Sequence, residues 1–120
     1  MKNVSRFEDL DVFQRAYKTS LEIHNLSLSL PEQERYVLAD QLRRTSRSIP
    51  SNVAEGYGKR RSSAEFKRFI LMAIGSADEM RVWLRYCLDL NYIGECQWQT
   101  LKQEYQEIAK MLNAFYQSIH

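Results

Sequence analysis

Punctuation is scarce in this chain. Four glycines and two prolines in 120 residues leave little to interrupt regular structure, so long continuous elements are expected. Cysteine is scarce too. Cys87 and Cys96 lack both CxxC spacing and a secretory context, and both read as reduced thiols, with Cys87 the buried one. Of the two histidines, neither His24 nor His120 has a glutamate three residues before it. The Glu-x-x-His pairs that hold metals inside helical bundles are therefore missing, and no metal or other cofactor is expected. The longest fully apolar run, Phe69 to Ile74, falls far short of the ~20 residues that cross a bilayer. No apolar stretch follows Met1-Lys2-Asn3-Val4, so no signal peptide and a cytoplasmic location are expected, with no membrane partner. No nucleophile sits in a usable context. Gly56-Tyr57-Gly58-Lys59 lacks the four-residue spacing between glycines of a phosphate loop, and the two glycines read instead as a helix end. Neither an enzyme nor a small-molecule substrate is indicated.

What the chain does have is helical period, in four segments of one expected domain spanning residues 1–120. From about Leu10 to Leu28, Val12, Ala16, Thr19, Ile23 and Leu26 form a stripe that Phe13, Tyr17 and Leu21 widen, with Asp9 as the expected N-cap. Pro31 fits the first turn of a second helix, whose stripe is Leu38, Leu42, Thr45, Ile49, Val53 and Gly56. Pro50 lies inside that pattern. It removes one backbone bond and predicts a kink, because the stripe continues past it. Ser62 with Glu65 is a capping-box signature for a third helix carrying Phe66, Phe69, Ala73, Ala77, Met80, Leu84 and Cys87. After a connection at Asn91 to Gly94, the fourth segment places Trp98, Leu101, Tyr105, Ile108, Leu112, Phe115 and Ile119 at alternating steps of three and four. An all-α, antiparallel up-down-up-down four-helix bundle is the expected fold.

Charge is divided unevenly. Between Arg43 and Arg68 lie eight of the seventeen Lys and Arg and only two acids, a surplus of six, although the whole chain carries +2. The basic residues are Arg43, Arg44, Arg47, Lys59, Arg60, Arg61, Lys67 and Arg68. A solvated face with local ion pairs such as Asp40–Arg44 accounts for part of them. A phosphate-binding patch made of all eight and centred on the Lys59-Arg60-Arg61 turn, beside the N-terminus of the third helix, is the functional reading, with Tyr57 as a stacking platform.

Two further groups stand out. Gln41, Ser48, Asn52 and Glu55 share one side of the second helix, and Ser76 and Glu79 edge the stripe of the third. They read as a buried polar network that fixes register rather than as a catalytic or metal site. Leu71, Met72, Gly75, Val82, Trp83 and Tyr86 lie opposite or beside the core stripe of the third helix. Apolar residues on both sides of a helix require a second partner, and a subunit interface is expected there, ahead of a wide core with diagonal contacts.

The order of these features resembles a known family. Phe7-Glu8-Asp9-Leu10, Val12-Phe13-Gln14-Arg15-Ala16, Gln41-Leu42-Arg43-Arg44, Ser48-Ile49-Pro50-Ser51-Asn52-Val53-Ala54-Glu55-Gly56, Glu65-Phe66 and Gly75-Ser76 with Glu79 are similar to the four-helix-bundle proteins encoded in intervening sequences of bacterial 23S ribosomal RNA genes. The resemblance runs from about Phe7 to Ile93. That family is related to the accessory protein of diversity-generating retroelements, a pentameric ring associated with nucleic acid and a reverse transcriptase. The resemblance implies a homo-oligomer, a pentamer by analogy, without enzymatic activity. Taken together, a non-catalytic scaffold that binds RNA or DNA through its basic middle is expected. The alternative is a protein–protein adaptor whose basic patch meets an acidic partner or a neighbouring subunit.

Overall fold

Helices form where the apolar period and the end signals coincide. The computed structural model describes residues 5–120, so the reading of Met1 to Val4 lies outside the described residues. Its helices are α1 (Asp11–Ser29), α2 (Leu38–Gly58), α3 (Ser63–Asp89) and α4 (Glu95–Ser118). Among the described residues there is no strand.

The helix ends follow local chemistry. Ser62 caps α3, its hydroxyl accepting from the Glu65 N–H at 3.2 Å. The return half of the capping box is not made, because the Glu65 carboxylate turns to Arg68. α3 stops in a Schellman motif. Asn91 adopts φ 65°, the Tyr92 N–H donates to the Cys87 carbonyl at 2.8 Å, and the Asn91 N–H donates to the Leu88 carbonyl at 3.0 Å. Two boundaries differ from expectation. Leu10, not Asp9, occupies the N-cap of α1, because Asp9 is held in a 3-10 turn over Phe7–Asp9. Pro31 starts a second 3-10 turn, Glu32–Glu34, rather than α2 itself. α2 runs through Pro50, whose buried ring offers no N–H to the Ser46 carbonyl.

Sequential helices are antiparallel. At one end the Tyr92 hydroxyl donates to the Glu34 carboxylate at 2.7 Å, joining the α3–α4 connection to the α1–α2 connection. At the other end the Phe66 and Phe115 rings meet edge to face at 5.4 Å, placing the start of α3 beside the end of α4. The fourth seam, α1 against α4, is the thinnest, and Arg15 spans it to reach Glu104 with bonds of 2.6 and 3.2 Å. All seven residues of the α4 stripe are buried, as are Val12, Ala16, Thr19, Ile23 and Leu26 of α1. Cys87 is buried and its thiol is pushed up to about 11 by desolvation. Tyr105 is fully buried, and desolvation raises its pKa, which keeps the phenol neutral.

The buried stripe of α1 is narrower than its spacing predicts. Tyr17 and Leu21 are 51% and 50% exposed rather than core. The facing side of α2 offers Pro50, Ser51 and Ala54, which are too short to cover them. The glycine reading also changes. No described glycine has positive φ, so neither Gly56 nor Gly58 ends α2 by a left-handed turn. Gly56 is instead a packing residue: a Cβ there would stand 2.9 Å from Phe69 Cβ, next to the α3 backbone.

Gly56→Val should therefore lower unfolding free energy by about 1–3 kcal/mol in a urea titration, the usual cost of overpacking; unchanged stability would show that α2 and α3 are not so close. At the α1–α4 seam, the Arg15 hydrogen bond holds the Glu104 carboxyl below its ordinary range, against the opposing effect of burial. A depressed carboxylate pKa stabilises the fold above the unfolded value of about 4.3 and loses that stabilisation as pH falls through the folded value. The stability gap between the native chain and Glu104→Gln should be full at neutral pH and close in acid, as read by thermal melts across pH.

Candidate nucleic-acid interface

The eight basic residues do not form one patch. Arg47 and Lys59 stand ~18 Å apart along α2 at 1.5 Å per residue, which separates an arginine group in the first half of that helix from a group around the α2–α3 turn.

The arginine group is engaged in the fold. Arg43 is half-buried, with Nη1 donating to Ser27 Oγ and Nη2 to the Arg35 carbonyl, both at 3.1 Å. It pins α2 to α1 and to the connection between them, and so leaves the predicted phosphate site. Arg44 is exposed and lies 3.7 Å from Asp40, the pair expected from the sequence. Arg47 is exposed and bonds His24 Nδ1 at 3.0 Å across the α1–α2 seam.

The turn group is organised by aromatic rings, Tyr57 beside the turn in sequence and Phe69 and Tyr116 brought to it by the fold. Arg60 lies 4.1 Å over the Tyr57 ring and donates to the Tyr57 carbonyl at 2.9 Å. Lys59 sits 5.8 Å from the Phe69 ring centre, and Lys67 sits 5.3 Å from that of Tyr116. Arg68 stacks at 4.5 Å over Phe69 and binds Glu65 through two bonds. That contact lowers the Glu65 pKa and keeps it ionised beside its partner. Arg61 is exposed with no acid against it among the described residues. Among the described residues, Arg60, Arg61 and Lys67 thus remain without a carboxylate, and Lys59 makes no ion pair but shares the field of Glu65; all four lie at one end of the bundle, where the N-terminus of α3 adds a partial positive charge. Tyr57 is buried and lies under Arg60, so it does not serve as a platform for a base.

The predicted polar network reduces to one cross-helix contact. The Ser48 and Ser76 hydroxyls are 2.7 Å apart, and Asn52 Nδ2 donates to the Ser48 carbonyl at 2.8 Å within its own helix. Gln41, Glu55 and Glu79 are exposed. A residue a quarter-turn from the core stripe sits at the rim of a bundle, and only small side chains fit where α2 and α3 approach. The apolar back of α3 is exposed as its residues implied. Leu71, Met72, Val82 and Tyr86 are 45–56% exposed, and Gly75 is exposed with them. Trp83 departs from that group: it is half-buried, and its indole N–H donates to Thr45 Oγ1 at 3.1 Å on α2.

Among the described residues no group of three or more His, Cys, Asp and Glu could hold a metal ion, and no helix is long and apolar enough to cross a membrane. Fold and site together define a four-helix-bundle protein with one cationic end. The family model for 23S rRNA-intervening sequence proteins matches residues 8–114, and the chain belongs to that family. A solved structure from Bacteroides thetaiotaomicron, a protein of unknown function from the S23 ribosomal protein family, superposes with a TM-score of 0.81 at 25% identity, covering 89% of this chain and 96% of its own. No curated protein matches.

Arg43→Met should lower stability by about 1–3 kcal/mol, since it breaks two charge-assisted bonds and leaves their acceptors unpaired. Arg61→Met should stay within about 0.5 kcal/mol, as surface changes do. Urea unfolding of the two variants side by side separates the structural arginine from the free one.

Proposed function

We propose that this protein is a non-catalytic, self-associating scaffold that holds nucleic acid by its phosphates at the α2–α3 turn. The observation that carries the reading is the gathering of Lys59, Arg60, Arg61 and Lys67 at one end of the bundle, while the hydrogen bonds of Glu65 are taken by Arg68. Rings of Tyr57, Phe69 and Tyr116 support three of the four cations from below, so their charge is presented outward at little further cost in side-chain order. Tyr57 and Phe69 are buried beneath cations, which favours a contact to backbone phosphates without base readout. Self-association is supported by the exposed apolar back of α3, which a bundle alone in water would keep polar. Repetition of the cationic end in an assembly would multiply a weak contact into a measurable one.

Fluorescence anisotropy of labelled RNA, single-stranded DNA and duplex tests this against salt. Binding should weaken with salt, with slopes of log K against log salt of about −0.7 per phosphate neutralised on single strands and about −0.9 on duplex. Replacing Lys59, Arg60 and Arg61 together by Gln should flatten the slope and leave the assembly intact. Absence of binding at low salt to all three probes would remove the nucleic-acid reading and put an adaptor for an acidic protein partner in its place.

A further inference from the structure

α1 carries apolar side chains on two sides. Val12, Ala16, Ile23 and Leu26 face the core, while Phe13, Tyr17, Leu21, His24 and Leu28 recur at steps of 4, 4, 3 and 4 along its outer flank. Tyr17, Leu21 and Leu28 are half exposed or more, so this flank lacks a cover. α2 does not supply one. Pro50 and Ala54 form the opposite wall, and between the two helices lies a groove of about 560 Å³. Its α1 wall is braced by a ladder of rings. Phe7 meets Phe13 edge to face at 5.0 Å, and Phe13 stacks on Tyr17 at 5.9 Å.

Charge in this groove has one sign. None of the ten residues that line it is acidic. Glu8 and Asp9, next to Phe7, are turned to Arg6. Arg47 is exposed at the other end, where it bonds His24 Nδ1 at 3.0 Å and makes no ion pair among the described residues. A guanidinium carries several N–H donors, and one bond to an imidazole leaves a pair for a carboxylate.

We propose that the α1–α2 groove seats an amphipathic helix of a protein partner, with an acidic side chain of that helix on Arg47. Two observations choose this occupant. From Phe13 to Leu28 the flank is ~22 Å long at 1.5 Å per residue, and its one-turn steps match those of a helix laid along it. The lining is apolar except at the end held by Arg47 and His24, which accepts a negative group and repels a positive one. A nucleic-acid strand fits poorly, because it needs cations spaced along its path. Arg47 stands ~18 Å from Lys59 along α2, so this contact is separate from the phosphate contact proposed above and does not rest on it. Together the two contacts make the bundle an adaptor between nucleic acid and an acidic helical segment.

Peptides test this on the full chain. The probe is a fluorescein-labelled, alanine-based helix about four turns long, with leucines at one-turn steps and glutamates flanking that stripe at both ends. Its control carries lysines in place of the glutamates. In anisotropy titrations the acidic peptide should bind at least about tenfold more tightly than the basic one, since a charge-assisted contact replaces a repulsion. Arg47→Glu should reverse that preference. Leu21→Glu should abolish binding of both peptides, with Tyr17→Glu in its place if circular dichroism shows that it fails to fold. Replacing Lys59, Arg60 and Arg61 by Gln should leave the affinity for the acidic peptide unchanged. Amide shifts in NMR spectra should move along α1 and the Arg47 to Ala54 stretch of α2. Equal binding of the two peptides, no binding of the acidic one, or shifts confined to α3 would overturn the proposal. Loss of binding on replacing the turn cations would overturn it too, by moving the acidic peptide to the turn. A Leu21→Glu chain that binds RNA more weakly, or forms a smaller assembly in native mass spectrometry, would give the groove to a nucleic-acid strand or to a second copy instead.

Discussion

The close approach of α2 and α3 is the constraint on which the functional geometry depends. At Gly56 the two backbones are near enough that a Cβ would meet Phe69 Cβ at 2.9 Å, and eight residues earlier Ser48 and Ser76 touch through their hydroxyls. Small residues at these points let the two helices lie flush. That makes the Lys59–Arg61 turn tight, puts Lys67 and Arg68 beside it on the first turns of α3, and brings Phe69 beneath Lys59 and Arg68. It also settles which side of α3 is left over. The α2-facing side takes Ser76 and Trp83, and the opposite flank meets α4, so Met72, Gly75, Glu79, Val82 and Tyr86 face out.

Charge in this protein is sorted by its neighbours more than by its number. Arg43 satisfies a hydroxyl and a carbonyl that would otherwise be left over at the α1–α2 connection, and Arg15 closes the thin α1–α4 seam on Glu104. Arg68 is neutralised by Glu65. A surface ion pair of this kind adds little to stability. Here it matters by removing a cation from any external contact. Three of the cations that remain at the turn, Lys59, Arg60 and Lys67, are held by rings, an attraction to the aromatic face that does not cancel their charge.

Much of this was legible in the residues. The α4 stripe, the Ser62 cap, the Asn91 connection, the buried Cys87 and the apolar back of α3 follow from period and end chemistry, which are local properties that act over one or two helical turns. The failures share a cause. Asp9 yields the cap to Leu10 because a 3-10 turn holds it, Tyr17 and Leu21 have the spacing of the core but no cover, and Gln41, Glu55 and Glu79 share a side yet stay exposed. Spacing gives the angle of a side chain on its own helix. It does not give the distance to the next helix or the size of what faces it.

By itself the sequence determined the number, length and amphipathic faces of the helices, because these depend on i to i+4 relations within one segment and on residues that start or stop it. It determined as well that charge is concentrated between Arg43 and Arg68. Only the tertiary structure decided that this concentration is two groups, that Trp83 belongs to α2 through Thr45, and that Phe69 and Tyr116 support lysines outside their own helical spacing. Those outcomes depend on how far apart separate helices settle, and that distance is fixed by packing side chains drawn from all four at once.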